Sequence, residues 1–146
     1  MAKVRAQTAR VIAASPDEVY ATLADYESGH RKILTGNYTN YSVEQGGRGA
    51  GTVITFHFAA GGRERDYRME VDEPAERTLR ERDVNSSLET TWTVTPATEG
   101  SRVVVATEWE GSSGIGGFFE RTFAPMSLKR IYAQMLENLE AAAKGG

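Results

Sequence analysis

Hydrophobic and polar residues alternate along most of the chain between residues 38 and 110, which is the period of a half-buried β-strand. Segments rich in glycine, proline, asparagine and serine interrupt the alternation at short intervals, as turns do. Connections this short join antiparallel neighbours, so the pattern predicts a meander. The predicted strands, including one before the first helix, are residues 4–13, 38–45, 52–60, 63–72, 77–84, 88–95 and 102–110.

A helix is predicted directly after the first strand. Ser15 is a good N-cap, Pro16 suits the first helical position, and Glu18 can complete a capping box. Val19 and Leu23 mark the buried face of this helix, with Tyr26 as a further candidate. A second short helix is predicted within residues 26–34, interrupted near Gly29.

The C-terminal segment has the period of a long amphipathic helix. Pro125 is expected to begin this helix or to kink a longer one. Residues 111–117 are expected to form a flexible lead-in, and Phe118, Phe119 and Phe123 to pack at the helix start. The apolar stripe is formed by Leu128, Ile131, Met135, Leu139 and Ala142. The whole pattern predicts one α+β domain over residues 1–146: a curved antiparallel sheet of about six or seven strands with a long C-terminal helix, and one or two short helices after the first strand.

The turns also predict the register of the hairpins. A two-residue turn at Gly61-Gly62 pairs Phe56 with Tyr67 and Ile54 with Met69. The following turns pair Glu81 with Thr90, Leu79 with Trp92, Thr90 with Thr107, Trp92 with Val105, and Leu88 with Trp109. Since Thr90 and Trp92 occur in both sets, these strands share one face, and its large apolar residues make it the inside.

This inner face also carries ionisable and hydroxyl side chains, which an apolar core does not tolerate unpaired. Two explanations remain open. The charged groups lie at strand ends and form a rim salt bridge, or the face lines a cavity in which they orient a mostly apolar ligand. The predicted lining is Ile54, Phe56, Phe58, Arg65, Tyr67, Met69, Leu79, Glu81, Thr90, Trp92, Val105, Thr107, Trp109, Ile131 and Met135. Asp83 also falls on this face.

Composition narrows the classes of function. The chain has no cysteine, which excludes disulfides, thiolate nucleophiles and cysteine-based zinc sites. The net charge is −3 with acids and bases interspersed, so nucleic acid is not an expected partner. No stretch approaches the roughly 20 apolar residues of a membrane span, and the N-terminus lacks the apolar core of a signal peptide, so we expect no stable membrane insertion and a cytoplasmic location.

Several motifs resemble those of the polyketide cyclase/dehydrase and START-related lipid-transfer superfamily, which includes the birch pollen allergen. They are residues 14–20 after the first strand, the glycine-rich residues 47–52, residues 71–77, residues 92–96 with 102–105, and the proline-containing C-terminal helix. The likeness covers nearly the whole chain. It implies a helix-grip fold with a cavity between sheet and helix; members bind lipids, sterols, polyketides or quinones, and some catalyse cyclisation or dehydration.

Other chemistry-bearing motifs favour structural roles. Residues 46–51 are followed by a strand and not by a helix, so they predict a β-hairpin connection with positive φ angles, compatible with an entrance lid, and not a phosphate-binding loop. His57 is expected on the outer face beside Asp66, and His30 in the second helix, with a possible place at the cavity mouth. Neither histidine has a metal-ligand spacing, and no cofactor motif is present, so no metal or cofactor is expected.

Three hypotheses of function follow. The first is a carrier of a small hydrophobic ligand. The second is a cyclase or dehydratase in which Glu81 or Asp83 acts as general acid or base and Tyr67 donates a hydrogen bond. The third is a protein-interaction module, which the evenly charged outer face favours least. The oligomeric state does not follow from the sequence.

Overall fold

The computed structural model describes the backbone of residues 3–111 and 114–145, and the side chains of residues 3–111 and 124–145. Within this part of the chain, seven strands form one antiparallel sheet in the order β1-β7-β6-β5-β4-β3-β2. The strands are β1 Lys3–Ile12, β2 Tyr38–Gln45, β3 Val53–Ala60, β4 Arg63–Ala75, β5 Thr78–Asp83, β6 Glu89–Ala97 and β7 Gly100–Glu110. The helices are α1 Pro16–Ala24, α2 Gly29–Ile33 and α3 Gly114–Ala143. The predicted fold class is confirmed.

The start of α1 follows the predicted cap. The Ser15 hydroxyl accepts a hydrogen bond from the Glu18 backbone N–H at 3.2 Å and donates one to the Glu18 carboxylate at 2.9 Å. Pro16 occupies the first helical position, where its missing N–H costs no hydrogen bond. Val19 and Leu23 are fully buried, so α1 packs by the face that its spacing predicts.

The hairpin registers agree with the prediction. Phe56 pairs with Tyr67, Glu81 with Thr90, and Thr90 with Thr107. Gly61 and Gly62 both have positive φ angles, 59° and 79°, which a tight turn between these strands requires. The inner face of the sheet is therefore the predicted one.

Two local predictions were wrong. Glu73, Pro74 and Ala75, which fall in the turn between the predicted strands 63–72 and 77–84, are part of β4. The chain reverses at Glu76 and Arg77, where Arg77 has a φ of 47°. A register shift between Asp72 and Ala75 accommodates Pro74, which cannot donate to the ladder.

The second error concerns the lead-in to α3. Residues 114–117 are helical and not a flexible lead-in, because α3 begins at Gly114 and contains Pro125 in its interior. Each glycine costs only about 1 kcal/mol relative to alanine in a helix, which the longer helical context outweighs here. Residues 112 and 113, and the packing of Phe118, Phe119 and Phe123, lie outside the described residues and side chains.

The C-terminal end of α3 is fastened to the end of β1. Arg10 Nη2 donates to Glu140 Oε1 at 2.9 Å, and the Ala13 backbone N–H donates to Glu140 Oε2 at 3.1 Å. These donors lower the pKa of Glu140. The contact holds Leu139 and Leu136, both buried, against the sheet and the short helices.

Candidate functional site

The inner face of the sheet changes from buried to half-buried along the strand direction. We call the buried part, near α1 and the β6–β7 turn, the closed end; there Leu79, Trp92 and Leu139 are 0–1% exposed. We call the other part, near the β3–β4 turn and the end of β7, the open end. Its apolar side chains stay half-buried: Phe56, Phe58, Tyr67, Leu88 and Trp109 on the sheet, and Leu128 and Ile131 on α3. The inner face is therefore apolar and partly open to solvent at one end and a packed core at the other.

The predicted lining residues separate along this gradient. Those with little or no exposure are Ile54, Met69, Leu79, Glu81, Thr90, Trp92, Val105, Thr107 and Met135. Those that stay half-buried are Phe56, Phe58, Tyr67, Trp109 and Ile131. Arg65 differs from both groups, because its side chain is 41% exposed and lies at the rim.

Glu81 is a carboxylate inside the protein, and its contacts come from α2, from β6 and from the connection between α1 and α2. Its Oε2 accepts a hydrogen bond from the Tyr26 hydroxyl at 2.6 Å and faces His30 Nε2 at 3.5 Å. Its Oε1 accepts from Trp92 Nε1 at 3.4 Å. The Glu81 side chain is 8% exposed, so protein donors replace the water that a carboxylate loses on burial. We call Glu81, Tyr26, His30 and Trp92 the Glu81 cluster.

The hydrogen bonds of His30 fix its tautomer. Its Nδ1 lies 2.8 Å from the carbonyl oxygen of Leu23, which can only accept, so Nδ1 carries a proton. The other nitrogen, Nε2, faces the Glu81 carboxylate at 3.5 Å. The His30 ring stacks on Tyr26 with a centroid distance of 4.2 Å.

Three hydroxyl groups form a second polar feature inside the protein. Thr90 Oγ1 lies 2.7 Å from Thr107 Oγ1, which in turn contacts the hydroxyl of Tyr132 on α3. All three residues are 5% exposed or less. Burial raises the pKa of Tyr132 to about 12, so this phenol stays neutral and keeps its proton. We call Thr90, Thr107 and Tyr132 the hydroxyl chain.

Aromatic side chains border the hydroxyl chain on the β2 side. Tyr38 meets Phe56 and Phe58 edge-on at 5.2 and 4.9 Å, and Phe56 stacks on Tyr67 at 5.5 Å. The Tyr38 hydroxyl points inward and lies 3.6 Å from the sulfur of Met135, one helical turn from Tyr132. Burial raises the pKa of Tyr38 well above its ordinary value.

The rim of the open end holds an ion pair. Arg65 Nη2 donates to Asp83 Oδ2 at 2.6 Å, and the Ser86 hydroxyl donates to the same oxygen at 2.6 Å. The Arg65 guanidinium also lies 4.7 Å from the centre of the Tyr67 ring. For Arg65 and Asp83 the structure therefore matches the rim salt bridge, one of the two explanations that the sequence left open.

The glycine-rich connection between β2 and β3 is fastened to the short helices. Gly49 N–H donates to the Ala24 carbonyl and Tyr26 N–H to the Gly47 carbonyl, both at 2.9 Å. The Ala50 N–H donates to Glu73 Oε1 at 2.8 Å. Gly49 has a φ of 59°, and a Cβ there would overlap the same Glu73 oxygen. The predicted positive φ angles are confirmed, and the contacts describe an anchored loop.

The outer face of the sheet carries His57 as predicted. Its Nδ1 lies 2.7 Å from Asp66 and its Nε2 2.9 Å from Glu64, and these carboxylates raise its pKa.

No group of three potential metal ligands occurs among the described residues. No helix in the described ranges has the length and apolar character that crossing a membrane requires. A shallow groove of about 200 Å³ on the outer face of the sheet is lined by polar and small side chains, among them Thr91, Thr93 and Ala106.

Sequence reasoning missed the contacts of Tyr26 and His30 with Glu81, and it missed the inward role of Tyr132. A signal for the first two was present, because Val19, Leu23, Tyr26, His30 and Ile33 recur at steps of three and four residues. All five are buried. His30 lies directly before Arg31 and Lys32, and these exposed neighbours obscured the pattern.

Comparison with known proteins gives the family. A family model described as polyketide cyclase/dehydrase and lipid transport matches residues 1–144. The chain belongs to this family. The search of curated proteins found no match.

Solved structures of other proteins share the architecture of this chain. The NMR structure of the KanY protein is 44% identical, with a TM-score of 0.88 and 99% of each chain covered. A protein from Thermus thermophilus is 24% identical, with a TM-score of 0.77, 99% of this chain and 98% of that chain covered. The Zhui aromatase/cyclase of Streptomyces sp. R1128 is 16% identical, with a TM-score of 0.75, 98% of this chain and 94% of that chain covered. At such low identity the last two show the fold alone, and they confirm the expected helix-grip architecture.

Proposed function

We propose that the protein binds a small hydrophobic molecule between the inner face of the sheet and α3, with the apolar part of the ligand at the open end. The observation that carries this proposal is the row of half-buried aromatic and aliphatic side chains there, centred on Phe56, Tyr67 and Ile131. Large apolar side chains that keep solvent access on a concave face are typical of ligand sites. Membership of the family supports the same class of ligand.

The contacts of the two inner-face carboxylates support binding over catalysis. Both oxygens of Glu81 are engaged by side chains of the Glu81 cluster, and Asp83 is engaged by Arg65 and Ser86. A general base must reach the proton that it abstracts from the substrate. In these positions the carboxylates orient protein groups, so the carrier hypothesis accounts for more of the described contacts than the cyclase hypothesis does.

The test uses fluorene, a planar tricyclic hydrocarbon without polar atoms, as a probe. We expect native protein to bind fluorene and the Phe56→Ala variant to bind it about tenfold more weakly, because the variant loses apolar contact area worth about 1.5 kcal/mol. Dissociation constants come from ¹H–¹⁵N NMR titrations, whose spectra also show that each variant is folded.

The matched control is Thr55→Ala, because Thr55 neighbours Phe56 on β3 and faces the opposite side of the sheet. This variant should retain the native affinity. Equal affinity of native protein and Phe56→Ala, or equal weakening by both variants, would contradict binding at the open end.

A further inference from the structure

The strand β1 forms one edge of the sheet, and its register is unbroken. Its 10 residues pair in sequence with β7, without a bulge. The strand at the other edge, β2, is irregular, because its register shifts twice and Asn40 has a positive φ of 54°. Bulges and irregular backbone hinder the addition of a further strand, whereas a long and regular edge favours it. β1 is therefore the edge that can accept another strand.

The backbone hydrogen bonds of β6 show which residues of β1 point outward. At the start of β6, the Asp83 N–H of β5 donates to the Leu88 carbonyl at 3.0 Å. Further along, the Val94 N–H donates to the Arg77 carbonyl at 3.0 Å, so the even-numbered residues of β6 bond to the β5 side. Successive residues of an antiparallel strand bond to opposite neighbours, so the odd-numbered residues of β6 bond to β7. By the same alternation, odd-numbered residues of β7 bond to even-numbered residues of β1.

The odd-numbered residues of β1 therefore point their N–H and C=O groups away from the sheet. Their side chains are exposed, and that of Val11 is a large hydrophobic one with 49% exposure. At the next odd position the Ala13 N–H already donates to Glu140 at 3.1 Å, so the unpaired row ends before it. Among the described residues no backbone group outside β7 bonds to this row, which is Arg5, Gln7, Ala9 and Val11.

The charges of β1 are compensated within the chain. Arg5 Nη1 lies 2.7 Å from Glu108 Oε2, and Arg10 Nη2 lies 2.9 Å from Glu140 Oε1. Because both guanidinium groups have carboxylate partners, the edge does not select an acidic strand. Compensated charges also lower the repulsion between two identical edges.

An antiparallel pair of two β1 strands centred on Gln7 fits the side chains along this edge. Residues directly opposite each other lie on the same face of the joined sheet. Arg5 of one copy then lies opposite Ala9 of the other, and Lys3 lies opposite Val11. No two like charges face each other, and the aliphatic part of Lys3 covers the exposed Val11 side chain.

We propose that two copies of the chain associate through β1, antiparallel and centred on Gln7, and join their sheets into one continuous sheet. The proposal is independent of the ligand site, because it uses the edge of β1 and not the inner face. The antiparallel arrangement places the two open ends on opposite sides of the dimer. One pair of strands buries a small area, at most about 1,200 Å², which is typical of transient association.

Dilution from about 1 mM to about 20 µM tests the association. We expect sedimentation velocity to show a dimer with a dissociation constant of about 100 µM. In ¹H–¹⁵N NMR spectra the amide signals of Arg5, Gln7 and Ala9 should shift with concentration, because their N–H groups gain acceptors. The amides of Ala6 and Thr8 bond to β7 in both states and should shift much less.

Two substitutions assign the dimer to this edge. Ala9→Pro removes an outward N–H and keeps the bonds of β1 to β7, so it should weaken association at least tenfold. Gln7→Lys places two ammonium groups opposite each other, should weaken association about tenfold, and should recover in part at high salt. This second variant keeps the test available if Ala9→Pro does not fold. The matched control is Thr93→Lys on the outer face of β6, which adds the same charge away from the edge and should keep the native dissociation constant.

Three results would overturn the proposal. The first is a protein that stays monomeric at about 1 mM. The second is a dimer whose dissociation constant is unchanged in both Ala9→Pro and Gln7→Lys. The third is weakening by Thr93→Lys, or concentration-dependent shifts on β2 and not on β1, because either would place the interface elsewhere. None of these results bears on ligand binding at the open end.

Discussion

Replacing Glu81 with alanine should lower the free energy of unfolding by about 3–5 kcal/mol, because two buried donors lose their acceptor, at roughly 1–3 kcal/mol each, and the truncated side chain leaves a cavity. The substitution removes the acceptor of the Tyr26 hydroxyl and of the Trp92 indole N–H, and it removes the carboxylate that faces His30 Nε2. Domains of this size have total stabilities of about 5–15 kcal/mol, so the loss is a large fraction of the whole.

Urea unfolding measures this effect as a lower midpoint with an unchanged slope. Glu70→Ala is the matched control, because Glu70 is an exposed glutamate on the outer face of the neighbouring strand, and it should change stability by no more than about 0.5 kcal/mol. A loss below about 1 kcal/mol for Glu81→Ala would mean that the carboxylate is not held as the Glu81 cluster requires.

The second large effect is expected at the closed end. Leu139→Ala should lower the free energy of unfolding by about 2–5 kcal/mol, because Leu139 is fully buried and its truncation leaves a cavity between α3 and the sheet. Leu128→Ala on the same helix should cost at most about 1.5 kcal/mol, since the Leu128 side chain is half-buried at the open end.

Thermal and urea unfolding of these two variants compare the two ends directly. Both substitutions remove the same atoms from the same helix, so the difference between them reports packing and not helix propensity. Equal losses of unfolding free energy in Leu139→Ala and Leu128→Ala would contradict the gradient from a packed closed end to an accessible open end.

The sheet was predictable because its turns are short and because hydrophobic and polar residues alternate along its strands. The tight turn at Gly61-Gly62 fixes β3 against β4, and Thr90 occurs in the pairings of β6 with both β5 and β7. Each register is a local property of two strands and one connection. The identity of the inner-face side chains followed from those registers.

The partners of the inner-face polar groups were not predictable from the same pattern. Tyr26 and His30 reach Glu81 from the connection between β1 and β2, and Tyr132 reaches Thr107 from α3. Periodicity gives the face on which a side chain lies, but not the group that it meets across the interior. The hydroxyl of Tyr132 and the flanking charges of His30 also look like surface chemistry when each is judged by its neighbours in sequence.

A methyl-resolved NMR titration with fluorene tests the central claim most directly. In protein labelled at isoleucine, leucine and valine methyls, we expect shifts at Leu88, Leu128 and Ile131, which line the open end, and none at Ile12, Leu136 and Leu139 of the closed end. Shifts confined to Val104 in the groove of the outer face, or no shifts at saturating fluorene, would contradict binding between the sheet and α3.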